Sequence, residues 1–342
     1  LMKNGGVLEG LVLPSSDEKT IVLKLSSGYN AGVLRSNIQH LAVLEKAKKK
    51  TVLPSRVKLQ TDLPVISILH TGGTIASKVD YETCGVVAQF TPQDLVEKFP
   101  DLNELCTLRS TLVGNMLSGD IRFAHYNKIA HAIAKEVKAG VNGIIVTHGT
   151  DTMGYTAAAL SFMLKGLSVP VILVGAQRSS DRGSTDAALN LLSAVRFILS
   201  SDFGEVGICM HENSSDASCL IFPACRTKKM HSSRRAAFKS VDVFPYARVT
   251  VEGKIEVINH GYRKKENKKD VTIMPFNEKL KIGWLRARPQ LFASDVLAFE
   301  HYDGVIVEGT GMGHLAVNTF DEPTKENEKI LKAIKKLCAK MP

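Results

Sequence analysis

Three short stretches set threonines, glycines and an aspartate directly after apolar runs: HTGGTIAS (70–77), VTHGTDT (146–152) and VGAQRSSDR (174–182). In an open parallel sheet, ligands bind beyond the carboxyl ends of the strands. Small and hydroxyl residues at three strand ends therefore read as one site assembled from distant sequence. Thr74, Thr150 and Asp151 are the residues to explain. A hydroxyl nucleophile with an acid or base beside it performs acyl transfer.

Gly72 and Gly73 let the backbone turn tightly and offer main-chain N–H groups to a carboxylate or an oxyanion. The plain alternative is an ordinary strand-to-helix turn, and the segment is neither G-x-G-x-x-G nor a P-loop. Thr150 and Asp151 stand at the mouth of a predicted helix, where either alone is equally well explained as a cap. Capping does not explain why two strand-end loops both expose threonine. Asp151 also suits the ammonium of an amino-acid substrate. A threonine alcohol needs a base, and Lys229, Tyr81, His148 and His211 are the candidates. Lys229 lies in a basic run with Lys228, Arg234 and Arg235, neighbours that would make its amine a better base. On composition alone a solvated charge is the commoner reading of such a lysine. Tyr81 lies in SKVDYETCG (77–85), expected to be a mobile lid. Its plain reading is a surface-loop tyrosine.

These loops need a sheet to hold them. VISIL (65–69), NGIIV (142–146), VPVILVGA (169–176) and EVGICM (205–210) are expected as buried strands. Helical spacing marks residues 122–140, stopping at Gly140, and also 152–166 and 185–199. QDLVEKF (93–99) reads as a short helix. The alternation predicts an α/β fold with right-handed crossovers and a mostly parallel sheet covered on both faces.

Residues 1–50 read as short strands joined by turns, a small β module expected to be barrel-like. EKAKKKTVLPSRVKLQTDLP (45–64) is charged and holds two prolines, so 51–63 is taken as a linker and 64–262 as the main domain. The polar stretch 263–270 marks a second boundary. A smaller α/β domain, 271–342, follows with apolar runs at 281–285 and 304–311 and a last helix over 324–340. It stops after that helix, so it is expected to be incomplete, and the Leu1–Met2 opening suggests that the natural start is not included.

A chain of 342 residues with 44% hydrophobic content can bury a sizeable core. No apolar run approaches the ~20 residues needed to span a bilayer, and no secretory pattern stands at the N-terminus. Cysteines at 84, 106, 209, 219, 225 and 338 form no C-x-x-C pair. They suggest reduced thiols in a cytoplasmic protein without a zinc site. The net charge of +10 gathers in basic runs such as RTKKMHSSRR (226–235) and YRKKENKKD (262–270). Such runs attract polyanions, although solvated surface is the commoner reading of any one of them.

Taken together and in this order, HTGGTIAS and VTHGTDTMGYTAAALSFML resemble the two signature segments of the bacterial-type L-asparaginase/glutaminase family. VGAQRSSDR with DAALNLLSA, KKMHSSRRAAFKSV (228–241) and the leading β module narrow the resemblance. They are similar to the D-subunit branch of archaeal glutamyl-tRNA(Gln) amidotransferases, over essentially the whole chain. The resemblance implies an asparaginase-like fold: a large flavodoxin-like domain over 64–262 and a smaller α/β domain, preceded by the β module. It implies Thr74 as nucleophile, Tyr81 assisting from the lid, and Thr150, Asp151 and Lys229 as a second constellation. Ser118, in NMLSGD (115–120), would bind the substrate's α-carboxylate, with Gly73 and Gly149 lining the site. GTGMGH (309–314) matches a loop that reaches a neighbouring protomer's site, with His314 at its last position, so a homodimer is implied.

The implied activity is glutaminase, releasing ammonia from glutamine or asparagine. A partner, the amidotransferase E subunit, would use ATP and Mg to amidate Glu-tRNA(Gln), making most tRNA contacts itself. No cofactor, metal or membrane is implied for this chain. Three places depart from the family pattern: Cys84 replaces a lid glycine, Gly119-Asp120 an acidic-amide pair, and LRARPQ (285–290) an aromatic-Pro-Gly segment. Two other readings stand beside this one. A free-standing L-asparaginase gives residues 1–50 no clear job, and a non-catalytic tRNA-docking scaffold has no need of the threonine, aspartate and lysine set.

Overall fold

The computed structural model describes residues 2–13, 17–25, 30–44, 63–73, 75, 78–79, 86–87, 100–178, 185–266 and 270–341. Thr74, Tyr81, the helix expected over 93–99 and nearly all of the expected linker lie outside the described residues. The strands are β1 (Leu11–Leu13), β2 (Thr20–Lys24), β3 (Asn30–Leu34), β4 (Val65–His70), β5 (Lys78–Val79), β6 (Val86–Val87), β7 (Thr107–Leu112), β8 (Gly143–Thr147), β9 (Leu164–Lys165) and β10 (Val171–Val174). They continue with β11 (Val206–His211), β12 (Ser218–Pro223), β13 (Thr227–Lys229), β14 (Phe238–Ser240), β15 (Ala247–Thr250), β16 (Ile255–Val257), β17 (Thr272–Ile273), β18 (Ile282–Arg286) and β19 (Gly304–Glu308). The helices are α1 (Leu102–Leu105), α2 (Phe123–Lys138), α3 (Met153–Met163), α4 (Ala187–Ser200), α5 (Ala293–Leu297) and α6 (Lys325–Cys338).

One sheet in the order β16-β15-β12-β11-β10-β8-β4-β7 organises the first unit, Leu1–Phe276. Strands β7, β4, β8, β10 and β11 pair parallel. The sheet is mostly parallel, as expected, and on its other side β12, β15 and β16 extend it in antiparallel pairing. The cause is loop length. Only residues 212–217 link β11 to β12, too few for a crossover, so the chain must double back.

Strand alternation feeds two cores. Ile145, Ile172 and Val174 point to the face covered by α1 and α4, where Leu191, Val195, Phe197 and Ile198 pack. Ile144, Val146, Val171 and Leu173 point to the face covered by α2 and α3. Helix α2 buries Tyr126, Ile129, Ala130, Ile133 and Val137, a single stripe at helical spacing. Gly140, at φ 80°, follows its end. Helix α3 is shorter than the expected 152–166 because Leu164 and Lys165 leave it to pair with Ile273 and Thr272.

In the N-terminal residues, β1, β2 and β3 form a three-stranded antiparallel sheet whose buried side chains are Ile21, Leu23 and Val33. The second unit, Asn277–Pro342, is built on the parallel pair β18–β19. Helix α5 connects them, and α6 follows. Leu285, Leu291, Val296, Ile330, Ala333 and Leu337 form its core. Among the described residues no helix is long and apolar enough to cross a membrane.

Asn127 on α2 clasps the backbone of Phe276. Its Nδ2 donates to the carbonyl at 3.0 Å and its Oδ1 accepts from the amide at 2.9 Å. The Phe276 ring meets Phe123 edge-on, with centroids 5.4 Å apart. Asn127→Ala strands both backbone groups and is expected to lower stability by about 1–3 kcal/mol. Urea denaturation measures this, and an unchanged midpoint would refute the clasp.

Candidate active site

Strand β4 ends in a glycine pair because no side chain fits there. Gly72 and Gly73 have φ of 114° and 83°, in the left-handed region. A Cβ on Gly73 would lie 2.6 Å from the amide nitrogen of Gly149, in the loop that follows β8. The two strand-end loops therefore touch backbone to backbone. Thr71 reinforces the contact, since its Oγ1 donates to the Thr147 carbonyl at 2.8 Å. Ser118 closes on the same place. It is buried in a short 3-10 turn, and a Cβ on Gly149 would lie 2.9 Å from its Oγ. Thr152 Oγ1 donates to the Ser118 carbonyl at 2.6 Å, holding that turn to the start of α3.

Thr150 and Asp151 are not helix caps. Position 152 precedes α3, and no side chain caps that end. Lys229 engages both residues instead: its Nζ donates to Thr150 Oγ1 at 2.8 Å and to Asp151 Oδ1 at 2.7 Å. The lysine arrives on β13, whose hairpin with β14 is seated by fully buried Phe238, the register partner of Lys229. The Lys229 side chain is 11% exposed and that of Asp151 78%. The third loop joins through Gln177, whose Oε1 accepts from Thr150 Oγ1 at 3.3 Å.

The expected cationic setting of Lys229 is not what the hairpin builds. Lys228 is exposed and, by strand alternation, faces the opposite way. Arg235 is bound to Asp216 at 2.6 Å. Among the described residues, the groups bonded to the Lys229 amine are the Thr150 hydroxyl and the Asp151 carboxylate.

Neither candidate histidine serves Thr150. His148 Nδ1 contacts the Gly149 carbonyl at 2.7 Å and its Nε2 contacts Thr156 Oγ1 at 2.8 Å, so both ring nitrogens are occupied. Burial pushes its pKa down to about 4. His211 lies between Asn190 Oδ1, at 2.7 Å, and Asp216 Oδ1, at 3.2 Å. A further buried histidine, His70, contacts Thr147 at 3.0 Å and Ser110 at 2.9 Å, and burial lowers its pKa to about 4.

His314 belongs to the second unit, where its amide donates to the Thr310 carbonyl at 2.8 Å within its own loop. Gln177 and Asp186 are site residues that the sequence reading misses. The signals for them are the place of Gln177 in the VGAQRSSDR loop and an acidic residue at the start of a predicted helix. Asp186 is fully buried and accepts from the amides of Gln177 and Arg178, each at 3.0 Å. Among the described residues no cluster of three or more His, Cys, Asp or Glu could hold a metal, and no cysteine is in a disulfide.

Hydroxyls, an amine and a carboxylate thus meet at the carboxyl ends of parallel strands, a constellation suited to acyl transfer. Residues 65–262 match the family model described as "Asparaginase, N-terminal", and the chain belongs to that family. A thermostable L-asparaginase from Thermococcus kodakarensis shares the fold at a TM-score of 0.67 and 25% identity, over 81% of this chain and 78% of that one. Within the family the relation is narrower. Residues 1–44 match the "GatD N-terminal domain". The glutamyl-tRNA(Gln) amidotransferase D subunit of Pyrococcus furiosus is 44% identical over 90% of this chain and 71% of its own length. That of Sulfolobus acidocaldarius is 37% identical over 94% and 72%. The chain is a member of the D-subunit family of glutamyl-tRNA(Gln) amidotransferases.

Gly73→Ala adds a Cβ at positive φ against the Gly149 backbone and is expected to cost about 1–3 kcal/mol. A urea midpoint equal to that of the parent protein would contradict it. His70 and His148 are held neutral in the fold but take up a proton near pH 6.5 once unfolded. Their contribution is complete above pH 6.5 and is lost as the pH falls from 6.5 towards 4, on the order of 3 kcal/mol each. His148→Gln should flatten the stability profile over that window, as read from urea melts at stepped pH.

Proposed function

We propose that this chain is the glutaminase component of a tRNA-dependent amidotransferase. It takes glutamine, or asparagine in its place, and releases ammonia for a partner, the E subunit, which converts Glu-tRNA(Gln) to Gln-tRNA(Gln) with ATP and Mg. The observation carrying this reading is the Lys229 amine set between Thr150 Oγ1 and Asp151 Oδ1, beside the Gly73–Gly149 contact.

The chemistry is a double displacement. The Thr74 hydroxyl attacks the side-chain amide carbon, a C–O bond forms, and the tetrahedral intermediate expels ammonia as the C–N bond breaks. Backbone N–H groups near Gly73 and Thr150 stabilise the oxyanion, an effect worth about 3 kcal/mol per donor. Water then attacks the acyl-enzyme, giving glutamate and restoring Thr74. Tyr81 assists Thr74 from the lid. In the second constellation the Lys229 amine orients the Thr150 hydroxyl, and Asp151 holds that amine and meets the substrate's α-amino group. Ser118 and Gly149 hold the α-carboxylate. His314 serves the site of a neighbouring copy in a homodimer. The chain works in the cytoplasm, a reading that rests on its free cysteines.

Thr74→Ala and Lys229→Ala are each expected to lower glutamine hydrolysis by about 10²–10⁴-fold while leaving the melting curve unchanged. Ammonia release measured with and without the E subunit and Glu-tRNA(Gln) completes the test. Near-normal turnover in either variant removes that residue from its role. Fast hydrolysis indifferent to partner and tRNA would favour a free-standing asparaginase.

A further inference from the structure

Thr150 has one hydroxyl hydrogen and, among the described residues, two side-chain hydrogen-bond partners. Lys229 Nζ is a donor towards its oxygen at 2.8 Å, so the hydrogen must go elsewhere. The remaining partner is Gln177 Oε1 at 3.3 Å. That carboxamide therefore turns its oxygen to Thr150, which leaves its other end to be accounted for. Gln177 Nε2 is buried and makes no hydrogen bond. A buried donor without an acceptor is unfavourable, and an acceptor brought by a ligand would relieve it.

The position of Gln177 is itself enforced. Its amide donates to both carboxylate oxygens of Asp186 at 3.0 Å, and the Arg178 amide donates to Oδ1 at 3.0 Å. Asp186 directly precedes α4 yet makes no cap bond with its side chain. Its charge is spent on the loop after β10. Asn190 completes the clasp, donating to Asp186 Oδ2 at 3.2 Å and to the Gly175 carbonyl at 3.0 Å. A second clasp runs from Thr185 Oγ1 to the Arg178 carbonyl at 2.9 Å. A buried carboxylate thus fixes the backbone from which Gln177 reaches Thr150.

We propose that Gln177, pinned by Asp186, is a positioning and substrate-reading residue of the amidohydrolase site: its Oε1 aims the Thr150 hydroxyl and its unpaired Nε2 donates to an oxygen of the carboxamide substrate. The proposal rests on the glutaminase reading of the same site. With the hydrogen held by Gln177, the Thr150 oxygen stays in register with the Lys229 amine until substrate arrives. When substrate oxygen takes Nε2, the whole carboxamide is satisfied and Thr150 remains aligned. Asp186 acts through Gln177 and is a positioning residue only.

Two substitutions separate these duties in the full chain. Gln177→Met keeps the bulk and removes both polar ends. Gln177→Glu keeps an acceptor for Thr150 and removes the donor. The Met variant is expected to lose about tenfold or more in kcat for glutamine and to raise KM, because a misaimed reacting group costs rate. The Glu variant is expected to keep kcat within about threefold of the parent while KM rises at least about fivefold. A packing role moves neither parameter in the Met variant, and that result would overturn the proposal. Equal loss of kcat in both variants would also overturn it, as would an unchanged KM in the Glu variant. Crystal structures of both variants supply an arm independent of turnover. The contact between Lys229 Nζ and Thr150 Oγ1 should persist with Glu and be lost with Met. If the parent protein hydrolyses neither amide, the glutaminase reading fails, and an intact contact in the Met variant still decides against Gln177.

Discussion

The amine of Lys229 is the contact on which the site depends. It reaches Thr150 and Asp151 across 79 and 78 residues of chain and joins the β13 hairpin to the loop after β8. Stability is not its main return. With Asp151 78% exposed, such an ion pair is worth about 0–1 kcal/mol. What the pair supplies is direction. A long, flexible side chain is held with its nitrogen on a hydroxyl oxygen, and the buried stem leaves it little freedom to leave. The orienting cost is met by the hairpin, which anchors through fully buried Phe238.

A backbone constraint lies beneath that contact. Parallel pairing of β4, β8 and β10 delivers three chain segments to the same edge of the sheet. They can close up only where side chains are absent, and Gly73 against Gly149 meets that need. The helices that return the chain between these strands pack their buried side chains on the two faces of the sheet. The antiparallel strands play another part. The long excursion between β12 and β15 contains the β13–β14 hairpin, so the half of the sheet that breaks the parallel pattern is the half that brings the lysine.

Much of this was legible in the residues. Apolar runs at 65–69, 142–146 and 205–210 became β4, β8 and β11 with ends shifted by a residue or so. Glycine pairs and hydroxyls after the strands marked the site loops. The reading failed where neighbours in sequence are not neighbours in space. Lys228 and Arg235 flank Lys229 in the chain, but strand alternation turns one away and Asp216 takes the other. His148 stood beside Thr150 in sequence and became a buried hydrogen-bonding strut. Strands β15 and β16 went unseen because such short strands carry too few residues to show a period, and β12, buried along its whole length, shows no alternation.

The sequence by itself determined the succession of strands, loops and helices, and the presence of two threonine-bearing turns. Those follow from side-chain periods of about 2 and 3.6 residues, which are local properties of the chain. The tertiary structure alone decided which base candidate meets Thr150, which carboxylate pins Gln177, and which basic residues are spectators. Lys229 reaches Thr150 across 79 residues and Asp186 reaches Gln177 across 9, and a hydrogen bond made by one side chain leaves no periodic trace in the order of residues. It exists only once packing has fixed both ends to within a fraction of an ångström.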